Sequence, residues 1–376
     1  MKRLRVLLLH NQVAPYRLPV FERLKENFDI TVYFCELKSK DRMWKTELLR
    51  EFTFDWEVLR GMRVGNIILN TPALLFRALR GWDAYLIADN VENIPATWMV
   101  AIASKISGKP LIVWSEKIDS PWNRKVVDRS FLKGILLKLH EKVLFSLADV
   151  IVAYSKKARE YLLKRGVSPG KILQGLQVMP EEVLPSGECQ GFKGRVGGCQ
   201  RTVLYLGYLR PEKGIEQFIQ SFVSSEIDAC LLIVGTGPLK ERLERKYSSS
   251  EKVVFYGYAS ENEKPCLYRM ADVFVLPTLR DSWGLVVNEA LYYGTPVITT
   301  TAAGASMVIE NGKTGFVVKA GDWAGLIRVL EELISNPKTL RKIKRLVKKS
   351  GKRYSRSILG AQAFIKALQK AFVNLN

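Results

Sequence analysis

Residues 202–214 read TVLYLGYLRPEKG: a run of apolar, strand-forming residues, Thr202 to Leu206, that stops at Gly207 and gives way to a basic turn closed by Gly214. An uninterrupted apolar run bounded by glycine is the signature of a strand buried on both faces, as in a parallel sheet. A helix has to follow to cover it. The same unit recurs downstream. Short apolar runs at Cys230 to Val234, Val253 to Tyr256, Val273 to Leu276 and Pro296 to Thr300 alternate with segments of helical period. This predicts a parallel α/β domain.

Working upstream, the alternation is present a first time. Leu4 to Leu9, Ile30 to Cys35, Ala84 to Ala88, Leu111 to Trp114 and Val150 to Tyr154 read as strands, and Pro15 to Lys25, Pro95 to Ser107 and Phe131 to Leu147 as helices. Between the two series, residues 179–200 hold Pro180, Pro185, Gly187, Gly191, Gly194, Gly197 and Gly198 with little periodicity, which marks a linker. The expected organisation is therefore an N-terminal domain over 1–178, a linker over 179–200, a second domain over 201–350 and an amphipathic helix over 351–376. In that last helix Ala361, Phe364, Ile365, Leu368, Ala371, Phe372 and Leu375 share one face, a stripe suited to docking on the protein.

The chain of 376 residues is 47% hydrophobic and 25% charged, an ordinary globular balance that argues against a disordered or fibrous protein. No apolar run reaches the roughly 18 residues of a membrane span. Five scattered cysteines (Cys35, Cys189, Cys199, Cys230 and Cys266) fit neither a disulfide framework nor a zinc site, and a reducing cytoplasm is the simplest home. The net charge of +21 is concentrated in two segments. Residues 101–176 carry 15 Lys/Arg against 6 Asp/Glu, and residues 338–376 carry 12 against none, while 201–330 balance at 14 each. Such clusters are suited to an anionic surface, either membrane phosphate or nucleic acid; a solvated lysine-rich surface is the alternative.

Three glycine turns in the second half fall where strands end. In GYLRPEKG (Gly207 to Gly214), backbone N–H groups, Arg210 and Lys213 can converge on a phosphate. VGTGP supplies Gly235 and Gly237, and DSWGLVVNE (Asp281 to Glu289) supplies Gly284 just ahead of a helix whose N-terminus favours an anion. Together they describe a diphosphate cradle. His10, ending the first strand, stands where a second substrate would enter, although a lone histidine is commonly structural.

The order GYLRPEKG, VGTGP, YGY, DSWGLVVNEALYYGTPVI, GASMVIENGKTGFVV resembles the C-terminal domain of family 4 retaining glycosyltransferases, which have the GT-B fold of two facing Rossmann-like domains with parallel sheets. The opening LLLHNQVAPYRLPVFERL looks like the acceptor-side start of a branch acting on surface or lipid-linked glycans. The resemblance implies that Glu289, second acid of the family's acid-x7-acid motif, binds the ribose hydroxyls of a nucleotide and that Asp281 touches the donor sugar. It also implies that the backbone of Trp283, Gly284, Leu285 and Val286 meets the diphosphate, that Lys213 neutralises it, and that Tyr258 borders the base. The C-terminal helix is implied to return to the N-domain.

Two positions depart from the pattern. Asp281 stands where the family usually has Glu, and Tyr208 follows Gly207 where an Arg is usual, so Arg210 is read as the substitute phosphate ligand. Glu116 and Lys117 occupy the place where many members have a histidine near the donor sugar, leaving the N-domain residue undecided. The resemblance implies no cofactor and no metal, a nucleotide-diphosphate sugar (UDP- or GDP-sugar) as donor, and a glycan or polyprenyl-phosphate-linked acceptor in polysaccharide biosynthesis. Phe131, Leu132, Ile135, Leu136, Leu139, Val143 and Leu147 at helical spacing beside Arg129, Lys133, Lys138 and Lys142 suit peripheral attachment at a cytoplasmic membrane face, and the same periodicity equally describes an ordinary helix covering a sheet. A soluble glucan or sucrose-type synthase, a binding-only descendant and a basic nucleic-acid-binding protein are the rival readings. Against the last stand the neutral 201–330 segment and the lack of an RNA- or DNA-binding motif.

Overall fold

A computed structural model describes residues 3–37, 46–119, 131–186, 189 and 200–373. The chain divides into two compact units, one of residues Met1–Val183 with Ser357–Asn376 and the other Leu184–Arg356.

The first unit is built on a seven-stranded, all-parallel sheet in the order β3-β2-β1-β6-β7-β8-β9. Its strands are β1 (Arg5–Gln12), β2 (Asp29–Glu36), β3 (Asp55–Val58), β6 (Ala84–Ala88), β7 (Leu111–Ser115), β8 (Val150–Ala153) and β9 (Ile172–Gln174). Both faces are covered, so successive residues of one strand enter different cores. Val6 and Leu8 of β1 pack with Phe21, Trp114 and Phe364, whereas Leu7 and Leu9 pack with Tyr85, Val100 and Leu144. That two-sided burial is why β1 reads as an unbroken apolar run. The helices of this unit are α1 (Leu18–Lys25), α2 (Ala73–Ala78), α3 (Ile94–Ile106), α4 (Phe131–Leu147) and α5 (Lys156–Lys164).

The polar stretch between Cys35 and Ala84, for which no element was expected, contains β3, α2 and an antiparallel hairpin of β4 (Gly61–Val64) and β5 (Ile67–Asn70). These strands are short and partly exposed, and Gly65 at φ 59° makes the turn. Little apolar periodicity is available there to reveal them. Arg129, the side chains of Phe131, Leu132 and Lys133, residues 190–199 of the linker, and Leu375 lie outside the described residues.

The second unit has a six-stranded parallel sheet, β12-β11-β10-β13-β14-β15. Its strands are β10 (Thr202–Leu206), β11 (Cys230–Val234), β12 (Val253–Gly257), β13 (Val273–Leu276), β14 (Val297–Thr300) and β15 (Gly315–Val318). They alternate with α6 (Ile215–Val223), α7 (Lys240–Tyr247), α8 (Lys264–Met270), α9 (Leu285–Tyr292), α10 (Trp323–Ser335) and α11 (Pro337–Ser350). In each sheet the chain runs outward to one edge and then crosses back, placing a switch point between β1 and β6 and another between β10 and β13. Crevices for ligands open at the carboxyl ends of strands at such points.

The last helix, α12 (Ser357–Val373), leaves the second unit's segment and packs into the first. Ala361, Phe364, Leu368 and Ala371 are buried in the same core as Phe21, Trp114 and Tyr154, with the Phe364 and Trp114 rings 5.1 Å apart. Gly360 lets the helix approach closely, since a Cβ there would lie 2.9 Å from side-chain carbons of both Val20 and Val178.

One reading of the sequence is corrected. Cys189 and Cys266 form a disulfide, with Cα atoms 5.3 Å apart across 77 residues of chain. Local spacing holds no trace of it, because only the passage of the linker beside α8 brings the two thiols together. The cysteine pattern therefore gives no support to a reducing compartment.

Candidate active site

Strand β10 ends at Leu206 and the loop that follows is clamped by its neighbour: Gly207 N donates to Val234 O at 3.0 Å and Leu209 N to Thr236 O at 2.8 Å. Gly235 (φ 139°) and Gly237 (φ 151°) make this possible. A Cβ on Gly235 would overlap the Gly207 carbonyl, and one on Gly237 would stand 2.6 Å from the Leu209 carbonyl oxygen. The first two glycine turns are thus one structure, two backbones in contact.

The same loop meets the third turn through Lys213. Its Nζ lies 2.6 Å from Oδ2 of Asp281, a pair in which both side chains remain about one-fifth exposed. Asp281 is itself fixed by the backbone, its N donating to Ala302 O at 3.2 Å and its O accepting from Gly304 N at 3.1 Å, while Oδ1 accepts from Trp283 N at 3.2 Å. Gly284, at φ 95°, then starts α9. The first-turn N–H groups, those of Leu285 and Val286 among them, have no acceptor within the helix, and a lysine ammonium has been brought to the carboxylate of Asp281, four residues before Leu285. Trp283 is buried, and its Nε1 donates to Asn288 Oδ1 at 2.7 Å, which locks the turn onto α9.

Glu289, one turn further along α9, is only 4% exposed. Tyr268 Oη donates to its Oε2 at 2.7 Å. Burial and then Glu289 hold the Tyr268 hydroxyl protonated far beyond its ordinary range. Lys264 balances the carboxylate: burial disfavours its ammonium, yet Glu289 and then Glu261 outweigh this and leave its pKa raised. Tyr258, half exposed, is a further electrostatic neighbour of Lys264. Lys264 and Tyr268 were not singled out in the sequence. Their spacing of four on a helix was the available signal, since it puts both on one face.

Tyr208 and Arg210 stand at the mouth of the first turn. Tyr208 is 40% exposed, and the Arg210 guanidinium lies 4.4 Å from its ring centroid and 4.0 Å from Glu212 Oε1. The structure thus brings together Gly207, Tyr208, Arg210, Lys213, Gly235 and Gly237 with Asp281, Trp283, Gly284, Leu285 and Val286, and groups Glu289 with Tyr258 through Lys264.

His10 belongs to the first unit and is buried among Phe21, Phe34 and Trp114. Its Nδ1 donates to Gln12 O at 2.8 Å, and burial followed by the nearby Arg17 depresses its pKa to about 3. It is a neutral imidazole at any ordinary pH. Lys117 is also committed, at 2.8 Å from Asp89 Oδ1 and 3.1 Å from Glu141 Oε1.

Parallel α/β units with glycine turns, a basic side chain and a helix N-terminus at the strand ends define a nucleotide-binding architecture. Solved structures share the fold. HepE of Anabaena in complex with UDP superposes with a TM-score of 0.74 at 16% identity, covering 98% of this chain and 100% of that one. The lipopolysaccharide glycosyltransferase WaaG superposes at 0.63 with 14% identity, covering 95% and 98%. The fold is GT-B. More particularly, residues 192–350 match the family Glycosyl transferases group 1, and the chain carries a domain of that family. Among curated relatives, the phosphatidyl-myo-inositol mannosyltransferase of Mycobacterium leprae is 28% identical over 244 residues, 63% of this chain and 62% of that protein. The capsular polysaccharide glycosyltransferase CapM of Staphylococcus aureus is 34% identical over 139 residues, 35% of this chain and 36% of that one. The chain thus spans less than two thirds of the length of these relatives.

Proposed function

We propose that the protein is a metal-independent, retaining hexosyltransferase of glycosyltransferase family 4 that moves a sugar from a UDP- or GDP-sugar to a hydroxyl of a lipid-linked or surface-glycan acceptor. The observation that carries this reading is the Lys213–Asp281 pair set just before the N-terminus of α9. A diphosphate entering there would meet a cation and free N–H groups, both of which gain as negative charge grows on the leaving group. The bond from the anomeric carbon to the phosphate oxygen breaks and its electrons leave with the diphosphate. The acceptor oxygen bonds to the same carbon on the same face, and its proton passes to the departing phosphate oxygen. Glu289, whose Oε1 has no hydrogen-bond partner among the described residues, would orient the nucleotide through a ribose hydroxyl, and Asp281 the donor sugar.

The lipid-linked acceptor draws support from the first unit's surface. On α3, Ile102 and Ile106 are exposed, and on α4, Ile135, Leu136 and Leu139, interleaved with exposed Lys105, Lys109, Lys138 and Lys142. The helices are joined by Trp98 Nε1 donating to His140 Nδ1 at 3.1 Å. Apolar residues among lysines suit the interface of an anionic bilayer. No helix among the described residues is long and apolar enough to cross a membrane, so attachment would be peripheral.

The test is thermal stabilisation by a panel of UDP-, GDP- and ADP-sugars. A ligand at about 100 times its dissociation constant adds roughly 2.7 kcal/mol. A shift with UDP- or GDP-sugars is expected; no shift with any would remove the reading.

A further inference from the structure

Glu116 stands one residue beyond the carboxyl end of β7, and its carboxylate is bonded through Oε1 by Nη2 of Arg17, from the turn after β1. The two partners differ in exposure. The Arg17 side chain is 3% exposed and that of Glu116 36%. The guanidinium is enclosed by three aromatic rings, its Cζ lying 4.3 Å from the centroid of Trp114, 4.5 Å from Tyr154 and 5.0 Å from Tyr16. Aromatic faces on this scale hold a planar cation in place and stabilise it away from water. His10, packed 5.1 Å from Trp114, is neutral and adds no charge. The result is a rigid, buried cation that fixes one carboxylate oxygen, while Oε2 has no hydrogen-bond partner among the described residues. Its neighbour Lys117 points into a buried cluster with Asp89 and Glu141 and is not available in the same way.

A charge held at one oxygen and, among the described residues, unpaired at the other, at the carboxyl edge of a parallel sheet, is a built hydrogen-bond acceptor for a ligand. We propose that Glu116, although it stands where many relatives place a histidine near the donor sugar, binds a hydroxyl of the acceptor sugar and that Arg17 is the residue that positions it. A donor-induced stabilisation weakened in Glu116→Gln would put the carboxylate on the donor and overturn the proposal. The ligand class follows from the charge. A carboxylate attracts neutral polyol hydroxyls and repels phosphate or carboxylate, so the moiety bound here is an uncharged sugar, whatever anionic carrier it is attached to. The inference rests on the functional reading above, in which this unit receives the acceptor.

The experiment uses the full chain as wild type, Glu116→Gln and Arg17→Lys, with methyl α- and β-hexopyranosides and their 6-phosphates as acceptor probes. Nucleotide release is followed against probe concentration, alongside donor-induced thermal stabilisation and probe binding by calorimetry. Glu116→Gln should raise the KM for the neutral glycosides about tenfold, with the donor-induced shift unchanged. Arg17→Lys, which keeps the charge and loses the planar fork, should move KM in the same direction. A purely structural pair would lower the melting temperature of both variants and leave KM where it was, which would overturn the proposal, as would a preference for the phosphorylated probes. Absence of any donor-induced shift in the wild type would count against the functional reading alone. Glycoside binding then decides the inference: weaker binding to Glu116→Gln supports it, and equal or no binding in wild type and variant overturns it.

Discussion

Tyr268 Oη donates to Glu289 Oε2 at 2.7 Å, so the buried carboxylate of α9 already has one oxygen occupied before any ligand arrives. The tyrosine comes from α8, the glutamate from α9, and their hydrogen bond fixes the direction of the remaining oxygen. Glu289→Ala should weaken nucleotide binding by roughly 1–3 kcal/mol, and Tyr268→Phe by about 1 kcal/mol through loss of that orientation. Titration calorimetry with the stabilising nucleotide checks both. Wild-type affinity in Glu289→Ala would remove the residue from the site.

Lys213 and Asp281 share a bond that a diphosphate would compete for. Lys213→Ala should lower kcat roughly a hundredfold, the scale on which a positioned electrostatic group acts on a leaving group. The melting temperature should change little, because Asp281 keeps its backbone bonds and Trp283 N. Steady-state rates beside a thermal melt separate the two effects; an unaltered kcat would refute the cationic clamp.

Burial and Arg17 press the His10 pKa down to about 3, whereas an unfolded histidine titrates near 6.5. Between those values the unfolded chain binds the extra proton, so stability is complete above about pH 6.5 and declines as pH falls towards 3. Urea midpoints measured across that window should slope in wild type, and the slope should shrink in His10→Asn. Parallel slopes would mean that other groups carry the acid sensitivity.

Truncation after Arg356 removes α12 and uncovers the core residues Phe21, Trp114 and Tyr154 against which Phe364 and Leu368 pack. Each large buried side chain contributes about 1.5–3 kcal/mol, more than a marginally stable unit can lose several times over. The truncated chain should bind a hydrophobic dye and lose its cooperative melt. A soluble variant with an unchanged melt would show that the helix is dispensable.

The Cys189–Cys266 bond closes a loop of 77 residues, for which chain entropy gives about 4.5 kcal/mol of stabilisation. Reduction should lower the melting temperature, and peptide mapping without reductant should recover the linked pair. Identical melts with and without reductant would argue that the bond contributes nothing to the fold.

The strands whose two faces are buried were legible in the sequence. Thr202–Leu206, Cys230–Val234, Val273–Leu276 and Ala84–Ala88 occur with the limits read from their apolar runs, because a parallel sheet covered on both sides leaves no polar residue to blur them. β3 and the β4–β5 hairpin were not, since exposed short strands leave no comparable pattern. At the site, the glycine turns and Lys213 stand out because they lie beside strand ends or helix starts that the sequence marks, whereas Asp281 and Glu289 are named through the family resemblance alone.

What spacing could not supply is who meets whom. Tyr268 on Glu289, Lys264 beside them, Arg17 caged by Trp114 and Tyr154, and Cys189 bonded to Cys266 all join segments remote in the chain. The sequence by itself determined the alternation of elements and the chemistry at each strand end, because those depend on local periodicity and backbone freedom. Only the tertiary structure decided that His10 is a neutral core residue, that Lys117 is spent on Asp89 and Glu141, and that Arg17 holds one oxygen of Glu116. Burial and the distance between charges set those outcomes, and neither is a property of neighbouring residues along the chain.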